Sequence, residues 1–578
     1  MTGYFKKYNW ILPVGLVGLS FVFFQFFYPY HLFFKEQIQL FLCTPDYFIS
    51  YFKKPGWVAS YSGDFLTQFF YLLGGGPSVL ALLFGIEGLL SAIVIKRLTS
   101  SAKAGLWASL PVLADWILHC DTLHSVSVSI GFILVLCLFL IYSAFSSKWI
   151  SYTFLAIFTL TGYWLAGGSF LIFPFLVLAS DFNKHRFYWL KWVIVFAIVF
   201  SVPLILRHYY LLTPIQSFIF PAFSTQSLLL PVALLLALTC AFSLKKFEPA
   251  YSKIFNVGVP CILVLLLATG LKSNANFNFE KILSLDGETY FGNPDRVIGL
   301  SKKYKLENRQ ASYFTNMALA KKGLLPEALM EYYQPTHLAL IPPVDPNQYW
   351  QSIFVSNEVF FLIGDMNMAQ HSAMLGNTFS PYQRSSRMIR RLAEINMVNG
   401  DSAAATKYLR ILSKTLFHKE WAISRLAMNH AGTSDKWLAN KRAQIPNTDL
   451  LRKSSNPLVS LNFLAEQHPD NLLAVDYLLC YLLLDKDLKS FRRNYDRYYR
   501  KLNRPVPKVY AEALLAQLVA DGASQQEALS YSINPETVKR FAKYTRIFEQ
   551  TSGDINVLNK QFAKTYWFYY HFATIQKK

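Results

Sequence analysis

Acid is scarce in this sequence. Asp and Glu number 35 against 56 Lys and Arg, leaving a formal net charge of +21 over 578 residues. Such an excess invites a nucleic-acid partner, yet no basic helix or aromatic binding signature stands out, which argues against one. Cysteine is scarce too: six are too few for a disulfide scaffold. Cys137, Cys240 and Cys261 lie within apolar runs, where a small hydrophobe suffices. Cys43, Cys120 and Cys480 are expected on the oxidising side, with a bridge among them left open. Missing as well are a Walker loop, a dinucleotide fingerprint and a zinc-protease helix, which argues against an ATP-driven or redox enzyme. The first apolar run lacks the small-residue cleavage pattern of a removable signal peptide and reads as a retained anchor.

The last absence is regional. After residue 271 no apolar run is long enough to span a bilayer; before it, runs of roughly 16–22 residues recur. This division predicts an all-α chain with a polytopic transmembrane domain over 1–271 and a soluble helical domain over 272–578, large enough for its own core. The spans read near 10–29, 65–95, 104–119, 126–146, 149–164, 166–181, 188–206, 224–243 and 254–271, about nine in all. With the N-terminus cytoplasmic, Lys6, Lys7, Lys96, Arg97, Lys103, Lys148, Lys184, Arg186, Lys191, Lys245, Lys246 and Lys253 fall inside. Only Lys35, Lys53, Lys54 and Arg207 fall outside, and the odd span count puts 272–578 outside with them. About half the basic residues of the membrane domain are therefore an orientation signal. The rest is scattered over helical faces and suits anionic lipid or glycan-phosphate.

The soluble part reads as helical hairpins. "ASYFTNMALAKKGLLPEALMEYY" carries a turn at Gly323 and a helix start at Pro326. "SSRMIRRLAEINMVNGDSAAATKYLRIL" turns at residues 399–401, and "HPDNLLAVDYLLCYLLLDKDLKSFRRNYDRYY" turns at Lys486-Asp487. These stretches resemble tetratricopeptide repeats, which stack helical pairs and present a concave face to a partner. The alternative is an irregular helical domain that braces the membrane part.

Between the first two spans, residues 30–64 form an outside loop rich in aromatics and carboxylates. Phe34, Ile38, Phe41 and Leu42 make an apolar stripe with Glu36 and Gln39 on another face, the pattern of a short interfacial helix. The Pro55-Gly56 break follows, and Gly63 and Asp64 stand where the next helix would begin. Glu36, then Asp64, are candidate catalytic bases; the alternative for Glu36 is a solvated interfacial residue. Arg207, with His208 beside it, is a candidate lipid-phosphate clamp or a snorkelling anchor. "ADWILHCDTLH" places Asp115 and His119 one helical turn apart, with Asp121 and His124 on the next turn. That set could hold a divalent metal or be ordinary loop polarity. Glu87 lies within a span, where a carboxylate is costly and is functional or paired.

A polytopic chain with acidic residues in its first external loop and a soluble outside C-terminus resembles the C-type glycosyltransferase superfamily. It also looks similar to an uncharacterised family of bacterial inner-membrane proteins. The superfamily's adjacent acidic pair is replaced here by the solitary Glu36 in "KEQ". The resemblance implies transfer of a sugar or glycan from a polyprenyl-phosphate carrier to an extracytoplasmic acceptor at a bacterial inner membrane, with the C-terminal domain periplasmic. Two other readings stay open: a noncatalytic anchor presenting a helical-repeat scaffold to envelope proteins or glycans, and a transporter.

Overall fold

The computed structural model describes residues 11–182, 189–248, 250–251, 254–343, 350–446, 456–502 and 504–574. Lys6, Lys7, Lys184, Arg186 and Lys253 of the charge pattern lie outside the described residues. Among the described residues every regular element is a helix. The chain divides into two compact units: residues up to Glu280 with Lys414–Lys419, and Lys281–Ser413 with Glu420–Lys578. The division falls within the Phe277–Tyr290 helix, past the boundary expected at residue 271.

Among the described residues of the first unit six helices are long and apolar enough to cross a membrane: Gly75–Thr99, Val126–Ala144, Trp149–Asp181, Trp189–Tyr210, Thr225–Phe247 and Ile254–Asn274. A seventh candidate is bent, with Leu12–Phe27 and Tyr30–Gln37 meeting at 79°. Hydropathy gave about nine, and two places account for much of the difference. Runs 149–164 and 166–181 join in one stretch, because the glycines at 167 and 168 carry a 3-10 turn instead of a reversal. The 104–119 run breaks at Ala108 into Ala104–Trp107 and Ser109–His119, each short of the roughly 20 residues a crossing needs.

The loop over 30–64 differs from an interfacial platform. Its first helix is Tyr30–Gln37, not 34–42, and Glu280 caps it by accepting the Tyr30 and His31 amides at 2.6 and 3.0 Å. Lys35, Glu36, Gln37 and Gln39 are buried. The amphipathic pattern is real, but protein covers the polar face as well as the apolar one. Thr44 then caps Pro45–Tyr51, and Gly56, at φ +59°, turns the chain into Trp57–Thr67. Gly63 and Asp64, expected at that helix's start, lie in its interior. A Cβ at Gly63 would stand 2.5 Å from the backbone N and Cα of Ser127, so glycine is what lets this helix lie on Val126–Ala144.

The segment Lys414–Lys419 belongs to this unit: the Cys43 amide donates to the Lys414 carbonyl at 2.7 Å, and Phe417 stacks on Tyr71.

The second unit is built of helical hairpins, including Trp350–Ile363 with Met366–Phe379, Ser386–Asn399 with Ser402–Leu412, and Leu472–Leu484 with Leu488–Asn494. The three share one turn. A left-handed residue (Gly364, Gly400 or Lys486) ends the first helix, and the following Asp accepts an amide three residues on to start the second. All six cysteines are free, so the open bridge among Cys43, Cys120 and Cys480 is not formed.

Candidate functional site

Two groups of polar side chains sit within the first unit. The deeper one begins with Asp115 and His119, one turn apart on Ser109–His119. The chain then turns at Asp121, whose Oδ1 accepts the Leu123 amide, and Ser125 caps Val126–Ala144. That reversal swings His124 back, so that its Nε2 lies 3.4 Å from Asp115 Oδ1, against 3.7 Å for His119 Nε2. The two imidazoles meet edge to face at 4.7 Å. The Glu87 carboxylate, from Gly75–Thr99, lies against that of Asp115, and Ser129 Oγ is 3.0 Å from His119 Nε2. Glu87, Asp115 and His119 are fully buried.

The sequence-predicted set is thus brought together in three of its four members, Asp115, His119 and His124, whose ligand atoms lie within 4.8 Å of one another. Asp121 stands apart, serving the turn. Lys35 joins the group by donating to the His119 carbonyl at 3.1 Å, and His31 Nε2 contacts the same oxygen at 3.0 Å. A bifurcated carbonyl at the end of Ser109–His119 thereby ties the cluster to Tyr30–Gln37.

The second group surrounds Glu36. Its Oε1 lies 3.6 Å from Nε2 of His418, and both side chains are buried. The His418 ring packs edge-on against Tyr71 at 5.1 Å. Asp64, the other candidate base, is engaged elsewhere: Tyr51 donates to its Oδ2 at 2.7 Å, with Tyr47 3.0 Å behind. Burial and the neighbouring Asp64 push the Tyr51 phenol far above its ordinary pKa, which keeps it a donor. Arg207 and His208 occupy the last turn of Trp189–Tyr210, with Arg207 half-buried and His208 exposed.

His418 is the participant that sequence reasoning missed. "TLFHKE" carries no motif, and nothing local announces a pairing with Glu36. Lys35 was seen only as a charge outside the spans, while its neighbour His31 went unnoticed. No curated protein and no solved structure matches the chain. A family model does match, over residues 5–573, and the protein therefore belongs to that family of unknown function, DUF6057.

Proposed function

We propose that the protein is a membrane glycosyltransferase that moves a sugar or glycan from a polyprenyl-phosphate carrier to an extracytoplasmic acceptor. The observation that carries this reading is the buried contact between Glu36 and His418 at 3.6 Å, at the end of a bent, membrane-capable helix pair. An acceptor hydroxyl attacking an anomeric carbon needs a base within about 3 Å. Glu36, oriented by His418, takes the hydroxyl proton as the new C–O bond forms. The bond from the anomeric carbon to the phosphate oxygen breaks, and its electron pair leaves with the lipid phosphate. Arg207 and His208 are the cations that would steady that leaving group.

In this reading the protein lies in a bacterial inner membrane, with its N-terminus cytoplasmic and its C-terminal unit periplasmic. Seven spans, with the bent pair counted once, give the same sidedness as nine. The hairpins of the second unit support a tetratricopeptide-like role, holding an envelope protein or glycan as acceptor at raised effective concentration. One observation favours a noncatalytic scaffold instead: a cavity of about 740 Å³ in the second unit, lined by Asp365, Asn396, Asp401 and Arg442 among others.

Glu36→Gln separates the two readings. In protein reconstituted with a polyprenyl-phosphate-linked sugar, transfer should fall about 100- to 10,000-fold with the melting temperature unchanged. Wild-type transfer in Glu36→Gln would remove the assignment. Absence of transfer from intact protein that still binds an envelope client would favour the scaffold.

A further inference from the structure

The deeper cluster is short of something positive. Asp115 and Glu87 are two carboxylates side by side in the apolar interior, and neither receives a hydrogen bond of good geometry on any oxygen. His124 Nε2, which faces Asp115, is without a hydrogen bond too. Interiors satisfy about nine in ten such atoms, so several orphans at one point call for an explanation. Lys35 does not supply it, since its ammonium donates to the His119 carbonyl at 3.1 Å. Two facing acids need either a shared proton or a cation, and an ionisable group within a span is rarely idle.

The spacing distinguishes these. Ligand atoms about 2.1 Å from a tetrahedral ion lie about 3.4 Å apart. Asp115 Oδ1 is 3.4 Å from His124 Nε2 and 3.7 Å from His119 Nε2, too long for good hydrogen bonds and right for two edges of such a tetrahedron. A shared proton between Glu87 and Asp115 explains the two acids but leaves the histidines converging on Asp115 for no reason. Two imidazole nitrogens with one carboxylate select zinc-class ions over magnesium or calcium, which favour all-oxygen sites.

We infer that Asp115, His119 and His124 bind one divalent transition metal of the zinc class, leaving a coordination position open, and that Glu87 positions Asp115 from behind. Ligation at His119 Nε2 displaces its 3.0 Å contact with Ser129 Oγ. Three protein ligands with an open position is the arrangement of a metal that acts on a substrate and not one that only staples a fold. The site stands whether or not the protein transfers sugar.

The test uses the full-length protein in detergent, stripped with a chelator and titrated with Zn²⁺ and Co²⁺. About one equivalent of either should bind, and Co²⁺ should give the intense visible bands of a tetrahedral nitrogen–oxygen site. Asp115→Asn, which preserves shape, and His124→Gln should each abolish those bands while the thermal melt of the stripped protein stays cooperative. Glu87→Gln should keep the stoichiometry and weaken binding about 10- to 100-fold, as loss of a carboxylate behind a ligand does. Bound Co²⁺ with the pale spectrum of an octahedral aqua ion, or unaltered tight binding in Asp115→Asn and His124→Gln, would overturn the site. No uptake at all would leave a shared proton between Glu87 and Asp115 as the explanation and would equally overturn it. None of these readouts requires transfer activity, so they fail or succeed independently of the proposed function.

Discussion

Arg387 meets Asp286 as a two-pronged fork, Nη1 to Oδ2 at 2.8 Å and Nη2 to Oδ1 at 2.9 Å, with the guanidinium buried. The same guanidinium reaches Glu358 at 3.0 Å, and Glu358 in turn takes Arg391 at 2.7 Å. Within the second unit the later part of Phe277–Tyr290 is thus joined by charge to Trp350–Ile363 and Ser386–Asn399. Fork geometry matters here because a buried ion pair offsets its desolvation only when nearly all its donors and acceptors are used.

Breaking this network from the acid side should be severe. Burial by itself would raise the Glu358 carboxyl, but Arg391, Arg387 and Lys321 bring it down to about 2. A depressed carboxylate stabilises the fold above its unfolded pKa of about 4.5 and loses that contribution as pH falls toward 2. Glu358→Gln should therefore cost about 3–5 kcal/mol at neutral pH, since two guanidiniums are left under-compensated. Hydrogen exchange across Ser386–Asn399 would read it, and unchanged protection would show the network to be dispensable.

Lys441 predicts a slope of the opposite kind. Burial, then Arg391 and Lys321, lower its ammonium to about 7, although it donates to the Phe361 carbonyl at 3.1 Å. Between pH 7 and about 10.5 the unfolded chain holds a proton that the folded chain has lost. Stability of the second unit should accordingly rise with pH across that window and be flat with respect to this group below 7. Denaturation midpoints at pH 7, 8.5 and 10 should show the rise in the wild type and a reduced one in Lys441→Met. Parallel profiles would mean that the ammonium is better solvated than its surroundings indicate.

A third prediction concerns the close approach that precedes the deeper cluster. In Gly63→Ala the new methyl meets backbone atoms of Ser127, which cannot rotate aside. The two helices must separate, at about 1–3 kcal/mol, and His124, three residues before Ser127, should move with them. Ser127→Gly should not rescue the melting temperature, because the obstacle is the main chain. A full rescue would place the clash in the Ser127 side chain instead.

Legibility in the sequence followed the range of each interaction. The hairpin turns at Gly400-Asp401 and Lys486-Asp487 were readable because a left-handed residue and a capping Asp act within a few positions. Asp115 and His119 were readable for the same reason, through helical spacing. His124 needed the geometry of a turn, and Asp121 misled because a turn-forming Asp and a ligand Asp look alike in one dimension. Hydropathy found apolar segments but not where helices break, so 104–119 passed for a span. The pairing of Glu36 with His418 had no local signature at all. It exists because Lys414–Lys419 belongs to the first unit, a fact of long-range packing that neither segment encodes on its own.

The two carboxylates first considered as bases can finally be told apart by what each one touches. Two tyrosines brace Asp64: Tyr51 donates to its Oδ2 at 2.7 Å, and the Tyr47 hydroxyl packs 3.0 Å from that of Tyr51 and 3.0 Å from the Leu40 carbonyl. This ladder binds Pro45–Tyr51 to Trp57–Thr67 and gives Asp64 a structural task. A hydrogen bond to a charged acceptor contributes about 1.5–3 kcal/mol, so Tyr51→Phe and Asp64→Asn should each lower stability by that order. Their double variant should lose less than the sum, because both remove the same bond. Glu36 meets His418 at 3.6 Å, and because Glu36→Gln keeps the shape of the side chain while removing its ability to take a proton, it should act on transfer and leave the melting temperature within a degree or two. Should Asp64→Asn instead spare stability and abolish transfer, the roles of the two acids are exchanged, and the Tyr51 hydroxyl becomes the group that orients the base.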